Sequence, residues 1–219
     1  MVKTLTSTHS PHLSLPEQRV IFYHLSWQNY QQILDALGEH RVARLTYDQG
    51  TLEITMPLEE HERAVRMIEL FIRILVVEMK LKIKTMGSTT LNFPELNRGA
   101  EPDNCYYIQN YAKVTGKTVN LSQDPPPDLV VEVDITHTDI DKLNLYANIG
   151  VPEFWRYDGQ RLRIYQLQNQ TYLEIEQSPT FPLLTKAELY QFLEQCQQDE
   201  VEAELSFREL VRQKLVIDP

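Results

Sequence analysis

Cysteine is nearly absent from this 219-residue chain: Cys105 and Cys196 stand far apart, with no CxxC and no histidine at ligand spacing. That excludes a disulfide framework and a thiolate zinc site, and it fits a reducing compartment. Glycine is scarce as well, with seven residues; Gly87 and Gly99 are isolated, so no glycine-rich loop is encoded to cradle a nucleotide phosphate. Long apolar runs are missing. The most apolar stretch, residues 64–81, is broken by Arg66, Glu69, Arg73, Glu78 and Lys80, too many charges for the middle of a bilayer span. Residues 1–18 are polar with two prolines and no apolar segment, which argues against a signal peptide and reads as a loose tail. The expectation is a cytoplasmic protein without membrane contact.

Positive charge is in deficit too. The formal net charge is −10, which opposes nonspecific nucleic-acid binding through a basic surface. The charge is unevenly spread: residues 61–98 hold seven Lys or Arg against four acids, whereas residues 186–219 hold four against eight. An acidic C-terminal part and a mildly basic middle are compatible with a local phosphate-binding face, and equally with bland solvated surfaces.

What is present is ordinary globular material, 42% apolar and 24% charged, with eleven Tyr and seven Phe to fill a core. Ser26 can cap a helix over residues 27–37, which Gly38 would end. Residues 41–47 and 51–56 alternate about the turn-prone Asp48-Gln49-Gly50 and predict a hairpin. After Pro57, Ala64, Val65, Ile68, Phe71, Ile72, Leu75 and Met79 recur at helical spacing and predict a core helix over about 59–79. Short extended pieces at 80–86 and 89–93 lead to a strand beginning near Asp103. Residues 110–127 read as a surface loop, and 128–134 as a strand buried on both faces. Thr136 to Thr138 can cap a helix over 139–148, ended by Gly150. Residues 153–157, 162–167 and 172–177 predict a meander of three strands, and two amphipathic helices follow from Lys186. The organisation expected is a tail (1–20), one α/β domain (21–180) and an acidic helical extension (181–219).

Three residues carry the chemistry. Glu132 sits between Val131 and Val133 in the most apolar strand, where a carboxylate costs several kcal/mol unless it is paired or holds a metal. A ligand role, a strand nearer the sheet edge and a structural pair with an arginine such as Arg156 stay open as explanations. Asp103 opens a neighbouring strand directly after Pro102; alone it is a turn or cap residue, but two such strands side by side would bring two acids together. A few carboxylates with a carbonyl and waters suit Mg²⁺ or Mn²⁺. Lys142 follows Glu132 by one strand-to-helix connection, so its ammonium can fold back over the strand end, although an exposed pairing with Asp139 or Asp141 accounts for it as well. Asp128 shares the strand face of Glu132 but lies roughly 13 Å away by strand rise, too far to share one ion, and reads as a structural anchor. The aromatic residues Phe154, Trp155, Tyr157 and Tyr165 read as core rather than as a base-stacking platform.

The segments Glu101-Pro102-Asp103, residues 127–133, Asp141-Lys142-Leu143 with Tyr146-Ala147, and residues 150–155 resemble the Uma-type restriction endonuclease family, formerly a domain of unknown function. The resemblance spans about residues 26–173. It implies the PD-(D/E)XK nuclease fold, a restriction-endonuclease-like mixed central sheet flanked by helices, with a C-terminal helical extension here. It implies Asp103 and Glu132 as metal-binding acids and Lys142 as the catalytic lysine, with DNA as substrate and a homodimer to cut both strands. The wider superfamily carries its lysine two residues after the second acid, where this chain has Asp134, so the lysine is displaced to the following helix. His61, in a Pro-x-x-x-His segment that begins at Pro57, is a further candidate catalytic residue, with Glu62 beside it. Two rivals stay open: a nuclease-fold binding module without activity, and a metal-dependent hydrolase of a small phosphorylated substrate.

Overall fold

The computed structural model describes residues 18–38, 41–87, 89–135 and 138–217; the tail up to residue 17 and the cap expected at Thr136 lie outside them. In chain order the elements are β1 (Gln18–Phe22), α1 (Trp27–Leu37), β2 (Arg44–Asp48), β3 (Thr51–Met56), α2 (Glu59–Glu78), β4 (Lys84–Thr85), β5 (Leu91–Phe93), β6 (Arg98–Ala100), β7 (Asn104–Tyr107) and α3 (Tyr111–Val114). Then follow β8 (Leu129–Val133), α4 (Lys142–Ile149), β9 (Glu153–Tyr157), β10 (Leu162–Gln168), β11 (Thr171–Ile175), α5 (Lys186–Gln198) and α6 (Glu200–Ile217). Ser26 caps α1, its Oγ accepting from the Asn29 N–H at 3.1 Å.

The central sheet is mixed and flanked by helices, as expected, with strand order β11-β10-β9-β8-β7-β4. Only β8 and β9 among its neighbours run parallel. A parallel pair needs a crossover, and α4 supplies it. Leu129, Val131 and Val133 therefore face one side, packing with Ile68, Phe71 and Trp155, while Val130 faces the other with Leu145, Tyr146 and Phe154. Strand alternation sends Glu132 to the α4 side. The crossover also returns the start of α4 to the C-terminal end of β8, which is what positions the site.

A second, five-stranded antiparallel sheet, β1-β3-β2-β6-β5, was not anticipated beyond its β2–β3 hairpin. It is pinned to α1 by a stack of Tyr30 on Tyr47, with ring centroids 4.8 Å apart. The C-terminal helices, expected as an extension, wall the main core: Phe192, Cys196, Phe207 and Val211 belong to one buried cluster with Phe71 and Trp155. The helix expected over 139–148 starts later, at Lys142. Its cap is Asp141, whose carboxylate accepts from the Asn144 N–H at 3.1 Å.

Candidate active site

Asp103, Glu132, Lys142 and His61 all line one narrow cleft of about 20 Å³ between the two sheets, and all four are buried. Asp103 lies at the entrance to β7, directly after Pro102. Its Oδ2 accepts from the Val133 N–H at 2.6 Å, which ties it to the end of β8. Its Oδ1 is 2.9 Å from His61 Nε2 and is paired with Arg44. Arg44 Nη1 in turn lies 2.8 Å from His61 Nε2. A guanidinium only donates, so Nε2 either accepts from Arg44 or donates to Asp103, according to its tautomer.

Glu132 is held from the other side. Lys142 donates to its Oε2 at 2.9 Å, and the Tyr146 hydroxyl donates to its Oε1. Lys142 and Tyr146 are four residues apart and so share one face of α4. The lysine also donates to Asp134 Oδ1 at 2.6 Å, while Arg156 Nε reaches Asp134 Oδ2 at 2.9 Å. The exposed pairing of Lys142 with Asp139 or Asp141 is thus replaced by a buried bridge across two acids. Arg156 stands opposite Glu132 in the strand register yet gives its guanidinium to Asp134.

Burial works against the charge on Lys142, but the carboxylates of Asp134 and Glu132 outweigh it and raise its pKa above the ordinary lysine range. Burial likewise opposes the charge on Asp134, and Lys142 and Arg156 overcome it, holding that carboxyl below its usual range. Lys142 is accordingly an ammonium at neutral pH, suited to stabilise negative charge and not to accept a proton. Cys105, next along β7, has its thiol pushed up to about 12 by burial and by Glu132, so it offers no thiolate at neutral pH.

Several cleft residues were not anticipated. Glu101 accepts from the Leu45 N–H at 2.9 Å and from Thr90 Oγ1 at 2.5 Å, and pairs with Arg41. Glu53 binds Thr138 Oγ1 at 3.0 Å and lies 3.5 Å from Arg19. Glu62 is not at the acids; it pairs with Arg44 Nη2 at 2.9 Å and is half-exposed. Asp128 is an anchor, accepting from the backbones of Ile108 and Asn110 at 2.7 and 2.9 Å. Phe154 and Trp155 are core. Among the described residues no three of His, Cys, Asp and Glu are grouped as a preformed metal cage. A larger cavity of about 500 Å³, beside α2 and α5, contains none of the cleft acids.

A family model described as "Uma2: Putative restriction endonuclease" matches residues 27–206. The chain belongs to that family. The match runs from α1 into α6, so the Uma2 region includes α5 and the start of α6. A crystal structure titled as a "putative nuclease belonging to DUF820" from Anabaena variabilis ATCC 29413 is similar to 76% of this chain and covers 98% of its own, with 16% identity and a TM-score of 0.48. No curated protein matches. No helix among the described residues is long and apolar enough to cross a membrane. In this Uma2 chain, Asp134 lies two residues after Glu132, and the Lys142 ammonium reaches both acids from the next helix.

Proposed function

We propose that this chain hydrolyses phosphodiester bonds in DNA, with Mg²⁺ or Mn²⁺ held by Asp103 and Glu132. The observation that carries the reading is the convergence of those two acids, Lys142 and His61 on one cleft. The donor set fits a hard divalent cation, because it offers carboxylate oxygens and lies at the Val133 backbone, with no sulfur. The chemistry such an ion supplies when bound is a lowered pKa for an attacking water and an offset to phosphoryl charge.

The chain's own residues do the rest. The Val133 N–H orients Asp103, and the Tyr146 hydroxyl orients Glu132. Lys142 Nζ, kept as an ammonium, stabilises charge growing on the phosphoryl oxygens. In the tautomer with its hydrogen on Nδ1, His61 Nε2 takes the proton that an attacking water loses once Arg44 no longer donates to it. A homodimer would place two such sites on opposite strands.

The test is nicking of supercoiled plasmid in Mg²⁺ or Mn²⁺ by the wild type, Asp103→Ala and Glu132→Ala. Cleavage by the wild type alone is expected; equal nicking by all three sinks the assignment. The absence of a preformed cage among the described residues favours one rival, a nuclease-fold module that binds without cutting. In that case the wild type leaves plasmid intact, and Asp103→Ala retains DNA binding.

A further inference from the structure

We infer that Arg44 is a positioning residue that couples the two binding events at this site, leaving its pair with Asp103 for the substrate's phosphate when a divalent cation takes its place. The inference rests on the reading of Asp103 as a cation ligand. It starts from the two oxygens of that carboxylate. Oδ2 is committed to the Val133 N–H at 2.6 Å, a backbone contact that holds as long as β7 and β8 do. Oδ1 is the oxygen turned to side chains, and the guanidinium of Arg44 sits on it. A cation approaching that oxygen meets a positive charge already there, so the two compete for one ligand atom.

The surroundings of Arg44 give it somewhere to go. Its other terminal nitrogen is held at 2.9 Å by Glu62, which projects from α2 and has a side chain 41% exposed. Released from Asp103, the guanidinium stays tethered at the cleft mouth. A second cavity, of about 450 Å³, opens beside the cleft; Arg44 and Glu101 line both spaces, and Thr89, Thr90 and Arg41 continue the larger one. The planar fork of Arg44 can meet a phosphodiester oxygen there, the geometry in which arginine exceeds lysine. Arg41 is built differently. Its acid, Glu101, is also fixed by the Leu45 N–H and by Thr90, so Arg41 belongs to a closed network, whereas Arg44 bridges Asp103 on one side of the cleft and the half-exposed Glu62 on the other.

The test uses Mn²⁺ alone, titrated calorimetrically into the wild type, Arg44→Gln and Asp103→Asn, and then a short blunt DNA duplex bound in Ca²⁺. Arg44→Gln is expected to bind Mn²⁺ about tenfold more tightly than the wild type. It should bind the duplex about tenfold more weakly, with the salt slope of log K reduced by about 0.9, the signature of one lost phosphate contact. A solely structural role for Arg44 would not tighten Mn²⁺ binding. Unchanged or weaker Mn²⁺ affinity in Arg44→Gln overturns the inference, and the functional reading survives that result if Asp103→Asn abolishes Mn²⁺ binding. Mn²⁺ binding indifferent to Asp103→Asn overturns both. Should Arg44→Gln fail to fold, Arg44→Met decides: it keeps an apolar stem and removes the charge over Asp103, so Mn²⁺ affinity must still rise, and no rise overturns the inference.

Discussion

Lys142 joins two buried acids, and that arrangement has a definite pH signature. Asp134, with its folded pKa held low, contributes stability that is present above its unfolded value of about 3.9 and is lost as pH falls through the lower folded value. Lys142, with its pKa raised, contributes fully below its unfolded value of about 10.4 and loses the contribution only as pH climbs through the raised one. Between those limits the bridge is constant. The gap in urea midpoint between the wild type and Asp134→Asn should therefore be flat around neutrality and shrink below about pH 4; a gap unchanged in acid would show that Asp134 is not held low. Removing the cation is harsher. Lys142→Met strips the ammonium from both acids, leaving Asp134 to Arg156 and Glu132 to the Tyr146 hydroxyl, and is expected to cost about 3–5 kcal/mol in denaturant unfolding. At this scale the approach of Lys142 to Glu132 was legible, since a carboxylate inside Val-rich strand sequence and a lysine one connection later are local signals, while His61 was singled out by the family resemblance; what the structure adds is that these residues share one cleft with Asp103. Arg44, Glu101 and Glu53 were not legible. Arg44 and Glu53 reach the cleft from the second sheet and Glu101 from just beyond it, and nothing in their local sequence records a partner 56 to 85 residues away.

At the scale of elements, the strongly periodic or continuous segments were readable: α1 with its cap, α2, β8, the β9–β11 meander and the two C-terminal helices. The five-stranded sheet was hidden because β5 and β6 have three residues each and pair through contacts such as Tyr47 with Gly99. Gly99 marks that join physically. A Cβ there would stand 2.5 Å from the Tyr30 hydroxyl and 2.8 Å from Asn92 Oδ1, and these two groups are themselves hydrogen-bonded at 3.0 Å. Overpacking of this kind costs about 1–3 kcal/mol. Gly99→Ala should accordingly lower the denaturant midpoint, and a neutral result would mean that α1 yields easily against the sheet. The C-terminal helices show the opposite lesson: their amphipathic sequence was plain, but an acidic surface suggested an appendage, while Phe207 stacks on Phe71 with centroids 4.5 Å apart inside the main core.

For the whole molecule, the difficulty is electrostatic: a chain of net charge −10 is proposed to hold a polyanion. The cleft sharpens it, because its acids Glu53, Glu101, Asp103, Glu132 and Asp134 already hold the cations beside them: Arg19, Arg44 and Lys142 from the lining, with Arg41 on Glu101 and Arg156 on Asp134. A phosphate entering the cleft therefore meets positive charge that is engaged with carboxylates in a partly desolvated space. A bound divalent cation would add positive charge there, so it is expected to favour substrate binding as well as chemistry. Fluorescence anisotropy with a labelled duplex tests this in Ca²⁺ and in EDTA at one ionic strength. Affinity should fall by about tenfold or more when the ion is removed, a change of about 1.4 kcal/mol or greater. Asp103→Asn, which removes one acid and one proposed ligand together, should narrow the difference between the two conditions. Equal affinity with and without the ion in the wild type would mean that DNA docks away from the cleft, on a surface that these acids do not control.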